Sequence, residues 1–212
     1  MRILIISPHP DDTEFAMGGV LSMLKDVSIR VVVVTDGSKW PPQLEHVKEL
    51  RRREQERAAE ISGYELVMLD FEDANTIAYQ EEIRHALEAQ LHEYGPDLVF
   101  CNWQGDFHTD HKTTAWILGQ ITAYVAWEEY SSLNFDPNVL VDISSVADHK
   151  QHLLDIFESQ ADRVEAYNPF PLNERWGSVI GSAYAEAFSV PNALSEHFQQ
   201  LPLDIHRNNA YK

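Results

Sequence analysis

A single cysteine, Cys101, stands in 212 residues, so no disulfide can form within the chain and stability must come from an apolar core. No stretch reaches the ~18 uninterrupted apolar residues that a membrane-crossing helix needs. No basic start followed by an apolar core and a small-residue cleavage site is found, so a secretory leader is not expected. Positive charge is scarce as well. Lys and Arg number 16 against 34 Asp and Glu, a formal net charge of −18. Binding to a phosphate backbone rests on clustered cations that release counterions, which excludes nucleic acid as a partner and anionic membrane surfaces with it. The acidic balance is a solubility property and says nothing of the fold. The few cations gather at Arg51 to Arg57, the one helix suited to receive an acidic group. Repeats and low-complexity linkers are missing, and no Gly-x-Gly-x-x-Gly follows the first strand. Gly18-Gly19 falls inside a helix rather than in the turn, where close helix-to-sheet packing explains it, so a nucleotide-binding oxidoreductase is not supported.

What is present points to an α/β chain. With 44% hydrophobic residues and ordinary Gly and Pro content, the sequence can bury a full core as one cytoplasmic domain over residues 1–212. Arg2 to Ile6 and Ile29 to Thr35 are continuous, β-branched apolar runs, the pattern of parallel strands covered on both faces. Glu14 to Lys25 lies between them as a crossover helix, and Leu44 to Ser62 forms a charged helix that stops at Gly63. A strand over Glu65 to Leu69, a helix over Gln80 to Tyr94 ended by Gly95-Pro96, and a strand over Asp97 to Cys101 follow. The pattern then predicts a helix over Lys112 to Ala126, a strand over Val139 to Ile143, a helix over Ser145 to Gln160, an irregular stretch over Ala161 to Trp176, a short helix over Gly177 to Glu186 and an extended end at Ala187 to Val190. This alternation predicts a Rossmann-like, doubly wound, mostly parallel sheet with helices on both faces. Cys101, ending an apolar strand, is expected to be a small buried hydrophobe.

Two clusters sit where such strands end. The first is Ser7-Pro8-His9-Pro10-Asp11-Asp12-Thr13-Glu14; its two prolines fix φ and hold His9 in an extended turn. Alone it has two readings, because carboxylates before a helix also serve as N-terminal caps. The second cluster, Asp106-Phe107-His108-Thr109-Asp110-His111, tips the balance: the carboxyl ends of strands line the ligand crevice of an open α/β sheet, and both clusters would face it. His9, Asp12 and His111 make an N/N/O set of the kind that holds a catalytic metal with an open position. Hydrolysis at such a site also wants a general base, for which Asp11 is the candidate. A protonated His108 would stabilise an oxyanion or protonate a leaving amine, and Asp110 would orient one of the imidazoles.

These residues resemble the LmbE-like / PIG-L family of metal-dependent N-acetylglucosaminyl deacetylases. Beyond Pro8 to Glu14 and His108 to His111, the resemblance takes in Gly18-Gly19, Thr35-Asp36-Gly37, Arg51 with Glu54 through Ala58-Ala59 to Gly63, Gly95 to Val99, Lys150 and Ser159-Gln160. It ends at Tyr184-Ala185-Glu186-Ala187-Phe188, which is similar to the bacillithiol-pathway branch. Thr13 stands before Glu14 where many members have Glu directly after the second Asp, and the segment after His111 is short for the family. The resemblance implies His9, Asp12 and His111 as metal ligands, Asp11 as general base, His108 as the residue that steadies transition-state charge, and Arg51 as a substrate contact. Arg52 and Arg53 are expected on a solvated helix face, making i,i+4 ion pairs with the surrounding glutamates. The implied ion is Zn2+, with Fe2+ or another divalent ion the alternative, since N and O ligands suit several. The implied substrate is a small amino-sugar conjugate whose N-acetyl group is hydrolysed; a deacylase of another small amide and a non-catalytic metal- or sugar-binding protein are the alternatives. Homo-oligomers occur among bacterial relatives and are an open expectation here. Arg175 and Glu186 are further candidates for the pocket, with a surface position the other reading of Arg175. Trp40 and Trp103 are candidates for its rim, whereas Trp116, Tyr124, Trp127 and Tyr130 are expected to pack along a helix face.

Overall fold

The backbone of the first half follows from alternating burial. In the computed structural model, which describes residues 1–162 and 167–207, β1 (Arg2–Ser7) sends Ile3 and Ile5 into one apolar cluster and Leu4 and Ile6 into another. In β2 (Ser28–Thr35), Val31 and Val33 are divided from Val32 and Val34 in the same way. A strand buried on both faces needs helices on both. α1 (Asp12–Met23) and α2 (Val47–Ser62) cover the first face, and α3 (Gln80–Tyr94) and α4 (Thr109–Ile121) the second. With β3 (Glu65–Phe71), β4 (Leu98–Asn102) and β5 (Val125–Trp127), these strands form the parallel order β3-β2-β1-β4-β5.

Beyond β5 the sheet turns antiparallel. β6 (Val139–Asp142), β7 (Ala185–Ser189) and β8 (Ile205–Arg207) complete eight strands in the order β3-β2-β1-β4-β5-β7-β6-β8. The expected doubly wound, mostly parallel sheet is therefore the fold. Three local expectations are corrected. The helix expected to run to Ala126 stops at Ile121, because the chain turns extended at Thr122 and enters β5. The helix expected over Gly177 to Glu186 lies earlier, at α6 (Phe170–Ile180), closed by Gly181 at φ 76° in the left-handed region. Its Trp176 packs with Leu140, Ala185 and Ala187, so burial of one aromatic fixes a segment expected to be irregular; residues 163–166 of that segment lie outside the described residues. The helix expected over Ser145 to Gln160 is shorter, α5 (Ala147–Leu154), followed by a 3-10 turn at Glu158–Gln160. The last described helix, α7 (Ser195–Gln199), seals the core with Phe198.

α1 is broken at Met17 (φ −132°, ψ 24°), and the amides exposed by the break find a buried carboxylate. Glu186 accepts from Gly19 N at 2.8 Å and Val20 N at 2.7 Å, and takes Lys150 Nζ at 2.7 Å. Glu186 thus anchors α1 rather than lining a pocket. A Cβ on Gly19 would come within 2.8 Å of Ile143 Cβ, so the expected close packing explains this glycine.

Candidate active site

Strand ends deliver the polar groups to one place. Pro8 O, just past β1, accepts from both the amide and the hydroxyl of Thr35 at 2.9 Å, tying the first turn to the end of β2. His9, Asp11, Asp12, Asp110 and His111 are all buried. His9 Nδ1 lies 3.0 Å from Asp12 Oδ2 and 3.1 Å from His111 Nε2, and His111 Nε2 lies 3.2 Å from Asp12 Oδ2. Three donors around one tetrahedral ion at the usual ~2.05 Å would stand ~3.3 Å apart, so this triangle fits a divalent metal.

The outer edges of both imidazoles are held by carboxylates. His9 Nε2 faces Asp110 Oδ2 at 3.1 Å and Asp73 Oδ1 at 3.3 Å. Asp110 is fixed in turn by Ala74 N, Thr76 N and the Thr76 hydroxyl, so it orients His9. His111 Nδ1 faces Asp106 Oδ2 at 3.2 Å and Glu129 Oε2 at 3.4 Å, while Nε2 faces Asp12 and His9. This is the carboxylate–histidine pairing that sets tautomer and ring direction at metal centres. Burial alone would lower the His9 pKa, yet Asp12, Asp110 and Asp73 outweigh it and hold it well above the usual histidine value. His111, likewise opposed by burial, is raised to about 10 by Glu129, Asp12 and Asp106. Carboxylates so dense call for positive charge at the centre of the site.

Asp11 sits at φ 102°, an uncommon conformation for a residue with a Cβ, and two side chains of α2 hold it there. Gln55 Oε1 accepts its amide at 2.7 Å; Arg51 donates to Pro10 O at 2.6 Å and lies 3.3 Å from Asp11 Oδ2. Arg51 also donates to Gly37 O at 3.3 Å. A Cβ on Gly37, itself at φ 62°, would meet the guanidinium carbon at 3.0 Å, so a glycine is required there. Behind Gln55, the buried carboxyl of Glu14 accepts from Tyr64 Oη at 2.7 Å, and burial pushes it up to about 7.

His108 begins α4 with Nδ1 accepting from Asp110 N at 3.3 Å, which puts the proton of the neutral ring on Nε2. Burial, with His9 and His111 close by, pushes its pKa down to about 4.

A cavity of about 480 Å³ opens over this centre, within the range of small-ligand sites. His9, His108, His111, Asp73, Ala74 and Arg51 form part of its wall; Lys39, Trp40, Tyr130, Gln160, Asp162 and Tyr167 form the rest. Several sequence expectations shift. Tyr130 lines the cavity rather than packing on a helix, and Trp103 leaves the rim to pack edge-to-face on Phe135. Trp127 is buried in β5, and Trp116 is half exposed on α4. Arg175 is exposed on α6, with its guanidinium over Trp176. Arg52 pairs with Asp70 of β3 instead of a glutamate of its own helix. Asp73, Glu129 and Gln55 were missed. Asp73 follows the end of β3 and Glu129 the end of β5, so strand-end position was the available signal. Cys101 is buried, and burial pushes its thiol up, as befits a small hydrophobe. No helix among the described residues is long and apolar enough to cross a membrane.

Comparison with known proteins agrees with this geometry. The chain is 28% identical to "Diacetylchitobiose deacetylase" of Thermococcus kodakarensis, over 87% of this chain and 81% of that protein. It is 24% identical to "Probable N-acetyl-alpha-D-glucosaminyl L-malate deacetylase 2" of Bacillus cereus, over 76% and 84%. Among solved structures, N,N'-diacetylchitobiose deacetylase from Pyrococcus horikoshii superposes with a TM-score of 0.76 at 26% identity, covering 92% of this chain and 85% of that one. The family model described as PIG-L, GlcNAc-PI de-N-acetylase, matches residues 4–122, more than half of the chain and all of both clusters; the chain belongs to this family.

Proposed function

We propose that this protein, acting as one domain in the cytoplasm, hydrolyses the N-acetyl amide of an N-acetylglucosamine-type sugar or glycoconjugate, releasing acetate and the free amine. The observation that carries the reading is the triangle of His9 Nδ1, Asp12 Oδ2 and His111 Nε2, two corners of which, His9 and His111, line the cavity, with Asp11 next in sequence to the buried third. Those three atoms would hold the ion, zinc by default with ferrous iron the alternative. Once bound, such an ion polarises the amide carbonyl and makes water a better acid.

The remaining roles fall to the chain. Asp11 takes a proton from the attacking water and passes it to the nitrogen as the C–N bond breaks, so the amine leaves neutral. Its backbone, fixed by Gln55 and Arg51, keeps the carboxylate from swinging away. His108 donates Nε2–H to the carbonyl oxygen as negative charge gathers there; the Asp110 amide at Nδ1 secures that tautomer. Asp110 and Asp106 orient the two imidazoles. Arg51, on the cavity wall, is the substrate contact.

The test is amine release from metal-reconstituted protein given N-acetylglucosaminides of malate and inositol, and diacetylchitobiose. Wild type should release amine, and Asp11→Asn should fall by about 10²- to 10⁴-fold with its metal content intact. Silence of the wild type across the panel, with one ion bound per chain, would refute the reading.

A further inference from the structure

Three buried side chains behind the site, Tyr64, Glu14 and Gln55, are joined to one another, and the chemistry above leaves the first two without a role. Tyr64 follows Gly63 at the end of α2, and its ring belongs to the same apolar cluster as Ile3 and Val31. Its hydroxyl donates to Glu14 Oε1, in the first turn of α1, at 2.7 Å. The same phenolic oxygen accepts from Gln55 Nε2 at 2.6 Å, and that nitrogen also lies 3.3 Å from both oxygens of Glu14. The bonds run in one direction. The Tyr64 proton goes to Glu14, so the phenolic oxygen takes a donor, and the end of Gln55 that meets it is the NH2. Gln55 Oε1 is thereby turned onto the Asp11 amide, which it accepts at 2.7 Å. Reversing the Gln55 amide would set its NH2 against the Asp11 N–H, donor against donor. Bonds linked in series in a dry interior strengthen one another.

At the far end of this chain of bonds stands the proposed base. Asp11 lies at φ 102°, ψ −32°, and both halves of its backbone are held: Gln55 takes its amide, and Phe15 N donates to its carbonyl at 3.0 Å. A residue with a Cβ keeps such a conformation only where its surroundings over-determine it. The metal triangle has a tie of its own, since His9 N donates to Asp12 Oδ2 at 2.8 Å. Loosening the Gln55 contact therefore shifts the Asp11 carboxylate while His9 and Asp12 stay joined. A reacting group misplaced by about 1 Å can cost about 10²-fold in rate.

We propose that Tyr64 is a positioning residue for the hydrolysis: directed by Glu14 and acting through Gln55, its hydroxyl holds the Asp11 backbone, and with it the base, in its strained turn. The inference rests on the deacetylase reading, and extends the set of residues that govern the rate to a tyrosine of the core.

Two measurements test it. In metal-free protein, hydrogen exchange read by NMR should show the Asp11 amide protected in the wild type and about three- to tenfold less protected in Tyr64→Phe, which keeps the ring and removes one neutral hydrogen-bonding group. In zinc-loaded protein, on whichever acetamide of the panel the wild type hydrolyses fastest, Tyr64→Phe should lower kcat by about three- to tenfold and Gln55→Leu by about 10- to 100-fold, with KM and zinc content unchanged. A group that acts by positioning Asp11 has nothing to position once the carboxylate is gone, so both losses should vanish when the variants are made in Asp11→Asn. Equal protection of the Asp11 amide in Tyr64→Phe, losses that persist in Asp11→Asn, or losses that fall on KM or zinc content instead of kcat make Tyr64 a structural residue only; any of them overturns the proposal and leaves the deacetylase reading standing. A wild type silent across the panel overturns the deacetylase reading, and the positioning of a base with it.

Discussion

Lys150→Met is the sharpest test of how this fold supports its site. Lys150 and Glu186 have fully buried side chains, with Nζ 2.7 Å from Oε1. Burial pulls the ammonium below its usual range while Glu186 opposes that pull. Methionine matches the lysine stem in volume but, among the described residues, leaves the Glu186 carboxylate with the Gly19 and Val20 amides of α1 as its remaining donors. Removing one partner of a buried ion pair costs about 3–5 kcal/mol, because the remaining charge is uncompensated. In a chain of this size each kcal/mol shifts Tm by about 2–4 °C, so Tm should fall by about 6–20 °C. Lys150→Met combined with Glu186→Gln removes the stranded charge and keeps one acceptor for the helix, so it should recover more than half of the loss. Urea unfolding and calorimetry of the wild type, both single variants and the double variant close the cycle. A single variant that costs under about 1 kcal/mol, or a double variant no better than the single, would refute the argument that this pair anchors α1.

Further outcomes follow from the same geometry. Gly19→Ala should cost about 1–3 kcal/mol in urea unfolding, since its Cβ would lie 2.8 Å from Ile143; Gly18→Ala, 3.4 Å from the flexible Lys150 stem, should be tolerated, and equal costs would contradict this. Glu14, at about 7 when folded against 4.5 otherwise, lends stability that is complete below 4.5 and lost as pH rises through 7. In chelator-treated protein, Glu14→Gln should therefore gain on the wild type by about 3 kcal/mol between pH 4.5 and 7 and hold that gain above; a pH-independent difference would count against it. Zinc added at pH 7 to chelator-stripped protein should release about two protons, one each from His9 and His111, read by calorimetry in buffers of different ionisation enthalpy; no release would mean that the surrounding carboxylates do not keep these imidazoles protonated.

Much of the fold was legible because burial leaves a pattern along the chain. The runs at Ile3 to Ile6 and Val31 to Val34 are apolar at every position since both faces are covered, and Gly63 and Gly95 end α2 and α3 in the left-handed conformation that glycine favours. β5 was missed because three residues give no period, and Val125–Trp127 extends an apolar helical pattern without a break. α6 was missed because two prolines, Pro169 and Pro171, suggest an irregular stretch, whereas Pro at the first turn suits a helix start.

The site divides along a similar line, for a physical reason. Three donor atoms about 3 Å apart, two of them from one turn, demand a dense local arrangement, and Pro8 to Asp12 shows it in sequence. Groups that orient those donors need only reach them from some neighbouring strand end, and their spacing in the chain is unconstrained. Asp73 meets His9 from beyond β3, Glu129 meets His111 from beyond β5, and Gln55 holds Asp11 from the middle of α2. A lone Asp, Glu or Gln at those positions has no local mark. The topology supplies what the spacing does not: once β3-β2-β1-β4-β5 is known as a parallel order, every acidic residue just past a strand end faces the same crevice. The surplus of carboxylates gathered there raises the proton affinity of both imidazoles, so at the proposed site a divalent ion would have to displace those protons. That exchange ties metal affinity to pH through residues that never touch the ion.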